Sequence, residues 1–255
     1  MLEVQDPIEI RKRLKSVPWD PSEAYRGVIE RMRDRHFAGR ILGWILHAQR
    51  PLTMTELQIA LNFDQDEFSF LPYEPPVPES IVLTCCGLIE HRRDTGLVSF
   101  SHAMVLQYLT EHPFEELASH SLLALTCLAY YRTPDFEAAA KEFNARRRKQ
   151  DWSFGVYAAH FWNIHSKLAG RSSTVEVKIL ETFSSDIWRV ADSQLHADLD
   201  GRTGWTGPLL PFLVGKGLAA VVMQPLSDVS TADSTIPQSD VSYIADLYVP
   251  QFIWS

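Results

Sequence analysis

The 255-residue sequence has only three cysteines, two of them adjacent as Cys85-Cys86. That is no basis for a disulfide framework, and it fits a reducing compartment. No apolar run approaches the roughly 18–20 residues of a membrane span. Met1-Leu-Glu-Val-Gln-Asp6 lacks a basic stretch leading into an apolar one, so no secretory leader is expected. Positive charge is short as well: 24 Lys and Arg against 32 Asp and Glu leave a net charge of −8. That balance argues against nucleic acid or an anionic membrane as the main partner. The apolar share of 45% and the charged share of 22% are ordinary for a folded chain of one or two domains. A soluble, cytoplasmic and mainly α protein is the expectation.

Signatures of chemistry are missing too. There is no G-x-S-x-G nucleophile elbow and no G-x-x-x-x-G-K-[ST] phosphate loop. His160 and His165 lie close on one segment but without an H-E-x-x-H. Cys85-Cys86 lack the gap of a metal site and read as small buried apolar residues. Ser101-His102 are neighbours with no acidic orienter, which makes no catalytic pair. The expectation is no enzyme, no cofactor, no metal and no small-molecule substrate.

Along the chain, Asp6-Pro7 and Asp20-Pro21 are helix starts. The first precedes a short apolar face, Ile8 and Leu14. The second leads into Tyr25, Val28, Ile29 and Met32 at helical spacing. Phe37, Ile41, Trp44, Ile45 and Ala48 mark one face of a helix that stops at Arg50-Pro51. Thr53-Met-Thr-Glu56 is a capping box opening a helix through Leu57, Ala60 and Leu61. Asn62 to Pro78, acidic and with four prolines, reads as a loop. Pro78-Glu79 begins a third helix running to Cys86, with Gly87 as its left-handed cap. The period then becomes strand-like. Leu88-Ile-Glu-His91 and Leu97-Val-Ser-Phe-Ser101 flank Arg92-Arg-Asp-Thr-Gly96, a hairpin pattern. Three helices followed by a hairpin that must lie against them give a winged helix.

A helix starts at His102, and Phe114 to Tyr131 reads as another, with Leu117, Leu122, Leu125 and Leu128. Pro134-Asp135-Phe136 opens the next helix, which ends in the basic run Arg146-Arg-Arg-Lys149. Phe154, Tyr157, Ala158, Phe161, Trp162 and His165 form one helical stripe, read as core packing rather than a ligand platform. Val175 to Phe183, and part of Leu209 to Gln224, read as helices. Gly201 to Gly207 is turn-rich, and Ser227 to Ser242 has the composition of disorder. The fold expected is therefore mainly α: a three-helix core plus β-hairpin, then an α-helical array, then a poorly ordered C-terminal tail. The expected division is 1–35 helical linker, 36–112 winged helix, 113–170 helical extension and 171–255 helical region with tail.

Arg40-Ile-Leu-Gly-Trp-Ile45, Arg50-Pro-Leu-Thr-Met-Thr-Glu-Leu57, Cys86-Gly-Leu-Ile89 and Val98-Ser-Phe-Ser-His102, taken in order, resemble the GPI inositol-deacylase-type winged helix. That module occurs in fungal STAND proteins, NLR-like switch ATPases, where it follows a NACHT ATPase domain and precedes helices and ankyrin repeats. Glu9 to Met32 resembles the linker between NACHT and winged helix. Tyr157-Ala-Ala-His-Phe-Trp162 with His165 resembles the helices before the repeats. Asp200-Gly201, Leu209 and Gly217 to Val222 resemble a single degenerate ankyrin unit, and one unit cannot bury its own faces.

The resemblance implies a non-catalytic regulatory or protein-interaction module from a split or truncated relative, with a NACHT-type ATPase or an ankyrin-repeat protein as partner. It also places His102 where STAND proteins carry a histidine that contacts the phosphates of ADP. Ala103 departs from the acidic residue common after that histidine. The alternative role for His102 is a helix-capping or core histidine, and that reading carries the greater weight. The alternative function is a DNA-binding winged helix, with Arg92 and Arg93 at the wing tip on phosphate. Against it, Glu79 to Cys86 offers no Arg, Lys, Asn or Gln to read bases. A fragment with little independent function is the third reading.

Overall fold

The computed structural model describes residues 21–133, 136, 153–185, 189, 192 and 209–218. In chain order these form α1 (Pro21–Glu30), α2 (Arg35–His47), β1 (Leu52–Thr53), α3 (Met54–Leu61), β2 (Phe63–Asp64), β3 (Ser69–Phe70) and α4 (Pro78–Thr84). They continue with β4 (Ile89–His91), β5 (Leu97–Phe100), α5 (Ala103–Glu111), α6 (His120–Tyr130), α7 (Ser153–Leu168), α8 (Ser173–Phe183) and α9 (Leu209–Gly215). The fold is mainly α, as expected. The described residues fall into two compact units: 21–61 with Pro76–Ala118, and Asn62–Pro75 with the described residues from Ser119 on.

In the first unit α2 is the central helix. Asp34 caps it, its carboxylate accepting from the Phe37 N–H at 2.8 Å. The helix ends at His47, ahead of Pro51, whose ring would disfavour a helical residue 50. Ile41, Leu42 and Trp44 have no exposed surface. Burying one such side chain contributes about 1.5–3 kcal/mol. The buried side also carries Gly39 and Gly43, while Phe37, Ile45 and Ala48 of the expected stripe are only half-buried. The capping box forms as its spacing predicts. The Glu56 N–H donates to Thr53 Oγ1 at 3.2 Å, and the Thr53 N–H donates to Glu56 Oε2 at 2.9 Å.

The expected hairpin pairs antiparallel, Ile89 with Phe100, Glu90 with Ser99 and His91 with Val98. Beside β5 lies a third strand that the sequence did not announce, Leu52 opposite Val98 and Thr53 opposite Leu97. Two residues carry no readable period, and β1 exists because β5 offers it an edge.

Three further expectations are corrected. The stretch from Asn62 to Pro78 is not all loop: Phe63 pairs with Phe70 and Asp64 with Ser69. Its four prolines all fall at 72 or later, which leaves 62–71 free to pair. The segment from Phe114 to Ser119 is not helical; the helix begins at His120. Pro113 precedes this segment, and the Ala118 N–H is committed to the Gly39 carbonyl at 3.0 Å. The third helix stops at Thr84 rather than Cys86, and the left-handed turn starts at Cys86 (φ 50) before continuing at Gly87 (φ 85).

The second unit is built on α6 and α7, with α8 on α6. The expected stripe is core: Phe154, Tyr157, Ala158, Trp162 and His165 are fully buried. Phe183 packs on Trp162 with ring centroids 4.6 Å apart. The helices expected within Val175–Phe183 and Leu209–Gln224 are α8 and α9. The helix expected at Ile8 to Leu14, the basic run Arg146 to Lys149, the degenerate repeat beyond residue 218 and the tail lie outside the described residues.

Candidate interaction surface

The first unit sorts its residues cleanly around α4 and the hairpin. Ile81, Cys85, Leu88 and Ile89 point into the core. Outward stand Leu83, at 76% exposed, with Val77 ahead of it and Met104 and Leu106 on α5. The sequence of α4, Pro-Glu-Ser-Ile-Val-Leu-Thr, contains no cation. Its exposed residues are Glu79, Ser80 and Leu83, so the outward face carries one acid, one hydroxyl and one large apolar side chain.

The wing carries its own ion pair. Arg92 Nε donates to Glu90 Oε1 at 2.9 Å, and the Ser99 hydroxyl donates to the same oxygen at 3.2 Å. The Arg92 hydrogen bond, with that of Ser99, holds the Glu90 carboxyl below its ordinary range. Arg92 thus shares its charge with a neighbouring acid, while Arg93 is exposed at the tip. His102 stands at the other end of the hairpin, one residue beyond Ser101, whose N–H donates to the Leu88 carbonyl at 3.0 Å. Arg92 and His102 nevertheless both act on Glu90 and lower its carboxyl, while Arg93 stands exposed at the wing tip. His102 occupies the position before α5, yet its imidazole makes no capping hydrogen bond and is exposed. The reading of His102 as a capping side chain or core histidine is corrected. Ser101 Oγ donates to the Gly87 carbonyl at 2.9 Å, so its hydroxyl is turned away from His102 rather than activated by it.

The two adjacent cysteines part company. Cys85 is buried, and burial pushes its thiol up to about 12, while Cys86 is exposed. The expectation that both are buried holds for Cys85 alone. A left-handed residue at the end of α4 turns the second side chain outward.

The second unit holds polar chemistry that sequence reasoning missed. His120 Nδ1 and His165 Nδ1 are 2.9 Å apart, and His165 Nε2 is 2.8 Å from the Tyr157 hydroxyl. Asp192, with no exposed surface, accepts from the Tyr131 hydroxyl at 2.7 Å and from Trp162 Nε1 at 2.9 Å. Its other oxygen pairs with Lys216 Nζ at 2.6 Å. Burial, with Asp192 alongside, pushes the Tyr131 hydroxyl well above its ordinary value of 10. Only the place of His165 on an aromatic stripe hinted at any of this. Among the described residues no group of three or more His, Cys, Asp or Glu could hold a metal ion. No helix among them is long and apolar enough to cross a membrane.

A three-helix core, a small sheet that includes the wing, and a helix leaving the second wing strand define a winged-helix domain. Residues 25–124 match the family model for the GPI inositol-deacylase, winged helix domain. The match spans under half of the chain. Neither the curated proteins nor the solved structures contain a match to the sequence.

Proposed function

We propose that the chain is a non-catalytic regulatory module whose winged helix binds protein, with a NACHT-type ATPase as the partner class and the reducing cytoplasm as its setting. One observation carries this reading. The helix that a winged helix presents to its targets carries no cation here and exposes the large apolar Leu83, beside Val77 just ahead of it. Phosphate-backbone binding is driven by cations, and the wing offers Arg92 already paired with Glu90. The family's name refers to a deacylase, but Ser101 and His102 support no nucleophile and base arrangement. Free thiols at Cys85, Cys86 and Cys127 agree with a reducing compartment.

The test mixes the full chain with a purified NACHT-type ATPase and follows complex formation by sedimentation. A stoichiometric complex is expected, weakened at least tenfold by Leu83→Asp with the melting temperature unchanged. Failure to associate, or association indifferent to Leu83→Asp, overturns the reading. Fluorescence anisotropy with random duplex DNA at low salt tests the rival: micromolar binding abolished by the double change Arg92→Ala and Arg93→Ala makes this a DNA-binding protein. Calorimetry with ADP on the isolated chain is expected to give no heat; binding lost in His102→Ala would instead make His102 a nucleotide contact.

A further inference from the structure

The wing tip carries a pattern that protein binding through α4 does not use. Arg92-Arg93-Asp94-Thr95 leads from β4 toward β5, and all four residues are exposed. Two arginines thus stand three and two positions ahead of a hydroxyl. No other serine or threonine among the described residues of the first unit has both.

The neighbouring hydroxyls are committed. Ser99 Oγ donates to Glu90, Ser101 Oγ to the Gly87 carbonyl, Thr84 Oγ1 to the Ser80 carbonyl and Thr110 Oγ1 to the Leu106 carbonyl. The Thr95 hydroxyl donates to nothing among the described residues, and its oxygen accepts only from the Leu97 N–H at a long 3.4 Å. Its proton is therefore free for transfer. The turn that holds it is also easily opened. The Gly96 N–H closes the tip on the Arg92 carbonyl at 2.7 Å, and beneath it the Arg92 N–H holds the Leu97 carbonyl at 2.9 Å. Glu90 and Ser99 pair further down, so the strands keep their register when the tip alone extends. Exposed loop tips of this kind are the first parts of a fold to open.

We propose that Thr95 is a phosphorylation site for a basophilic protein kinase, with Arg92 and Arg93 as the cations that an acidic substrate cleft recognises. Thr95 Oγ1 attacks the γ-phosphorus of Mg-ATP, the bond from that phosphorus to the β,γ-bridging oxygen breaks, and ADP leaves. The hydroxyl proton passes to the catalytic aspartate of the kinase. Before transfer, Glu90, Arg92, Arg93 and Asp94 together carry no net charge. The phosphate adds about −1.5 to −2 at pH 7, and the wing tip becomes an anion with Arg93 beside it. That change closes the wing to a nucleic-acid backbone and leaves Leu83 on α4 as it was.

The test incubates the full chain with Mg-ATP and the catalytic subunit of cyclic-AMP-dependent protein kinase, a probe that selects arginines at these two positions. Peptide mass spectrometry then places the phosphate. Thr95 is expected to be modified in the folded protein, and at least about tenfold more slowly in Arg93→Ala, with the melting temperature of that variant unchanged. Glu90→Gln, which releases Arg92 from its ion pair, is expected to raise the rate at Thr95 about threefold. Absence of phosphate on Thr95 overturns the proposal, and so does modification that Arg93→Ala does not slow. If Thr95 reacts only after unfolding in urea, the folded wing does not present it and the site is wrong. A Glu90→Gln rate no higher than wild type removes Arg92 from the recognition and overturns the two-arginine site.

Discussion

The backbone of Glu116 fills the space where a β-carbon on Gly39 would stand, and one turn on, a β-carbon on Gly43 would lie 2.6 Å from the backbone of Ala118. The pair of glycines lets the segment before α6 run flat along α2. It is fastened there by the Ala118 N–H on the Gly39 carbonyl and by Arg35 Nη2 on Glu116 Oε2 at 3.0 Å. Helix propensity alone favours alanine over glycine by about 1 kcal/mol, so the two effects have opposite signs. At Gly39 the obstacle is backbone, which cannot step aside as a side chain can. Gly39→Ala is therefore expected to destabilise by about 2 kcal/mol or more, read as a lower urea midpoint. Gly27 on α1 faces only the Arg31 side chain at 3.6 Å or beyond, and Gly27→Ala is expected to raise the midpoint. If both substitutions stabilise, the close approach is not real.

Arg50, Thr53 and Glu56 form a second unit of local structure. Arg50 donates to both oxygens of Glu56, at 2.6 and 2.9 Å, and the Glu56 side chain is 3% exposed. Thr53→Ala removes one capping acceptor and is expected to cost about 1 kcal/mol. Glu56→Ala removes the partner of Arg50 and of the Thr53 N–H together, with an expected cost of about 2–3 kcal/mol because Arg50 is partly solvated. The three groups act as one, so the double variant should cost less than the sum. Additive losses in the denaturant midpoints would show that the capping box and the ion pair work separately.

These two sites differ in how far they could be read in advance. Thr-x-x-Glu is local, its partners within one turn, and its geometry follows from spacing. Gly39 and Gly43 depend on residues more than seventy positions away, and glycine carries no hydrophobic signal by which to place a buried face. The same contrast runs through the candidate surface. The wing was legible from alternation around Asp94-Thr-Gly96, and α4 from Pro78-Glu79. The strand at Leu52–Thr53 and the hairpin at 63–70 are two-residue pairings, too short for any period. Asp192 becomes a buried acceptor only because Tyr131, Trp162 and Lys216 converge on it from three distant stretches.

Thiol chemistry gives a direct check on the end of α4. Cys86 is exposed, while Cys85 and Cys127 are buried and burial pushes both thiols up, Cys85 to about 12. Since the thiolate is the reactive form, a disulfide reagent at mildly alkaline pH is expected to titrate one thiol in the native protein and all three in denaturant. Cys86→Ser should abolish the native reaction without shifting the melting temperature. Rapid reaction of two thiols in the native state would mean that Cys85 is not held in the core.

The histidine pair makes the helical unit sensitive to acid. With Nδ1 of His120 and of His165 at 2.9 Å, one nitrogen must donate and the other accept, so the bond requires at least one unprotonated ring. Burial lowers the affinity of His120 for a proton below its ordinary value of 6.5. The unfolded chain then binds the proton more readily than the folded one. The contribution to stability is complete above that value and is lost as the pH falls through it toward the lower folded value. The urea midpoint of the α6–α7 amides in hydrogen exchange is expected to drop between about pH 7.5 and about pH 5.5. His120→Gln keeps a hydrogen-bonding side chain but cannot titrate in this range, so its profile should be flatter than that of wild type. Equal slopes in the two proteins would show that other groups set the acid sensitivity and that the pair is only packing.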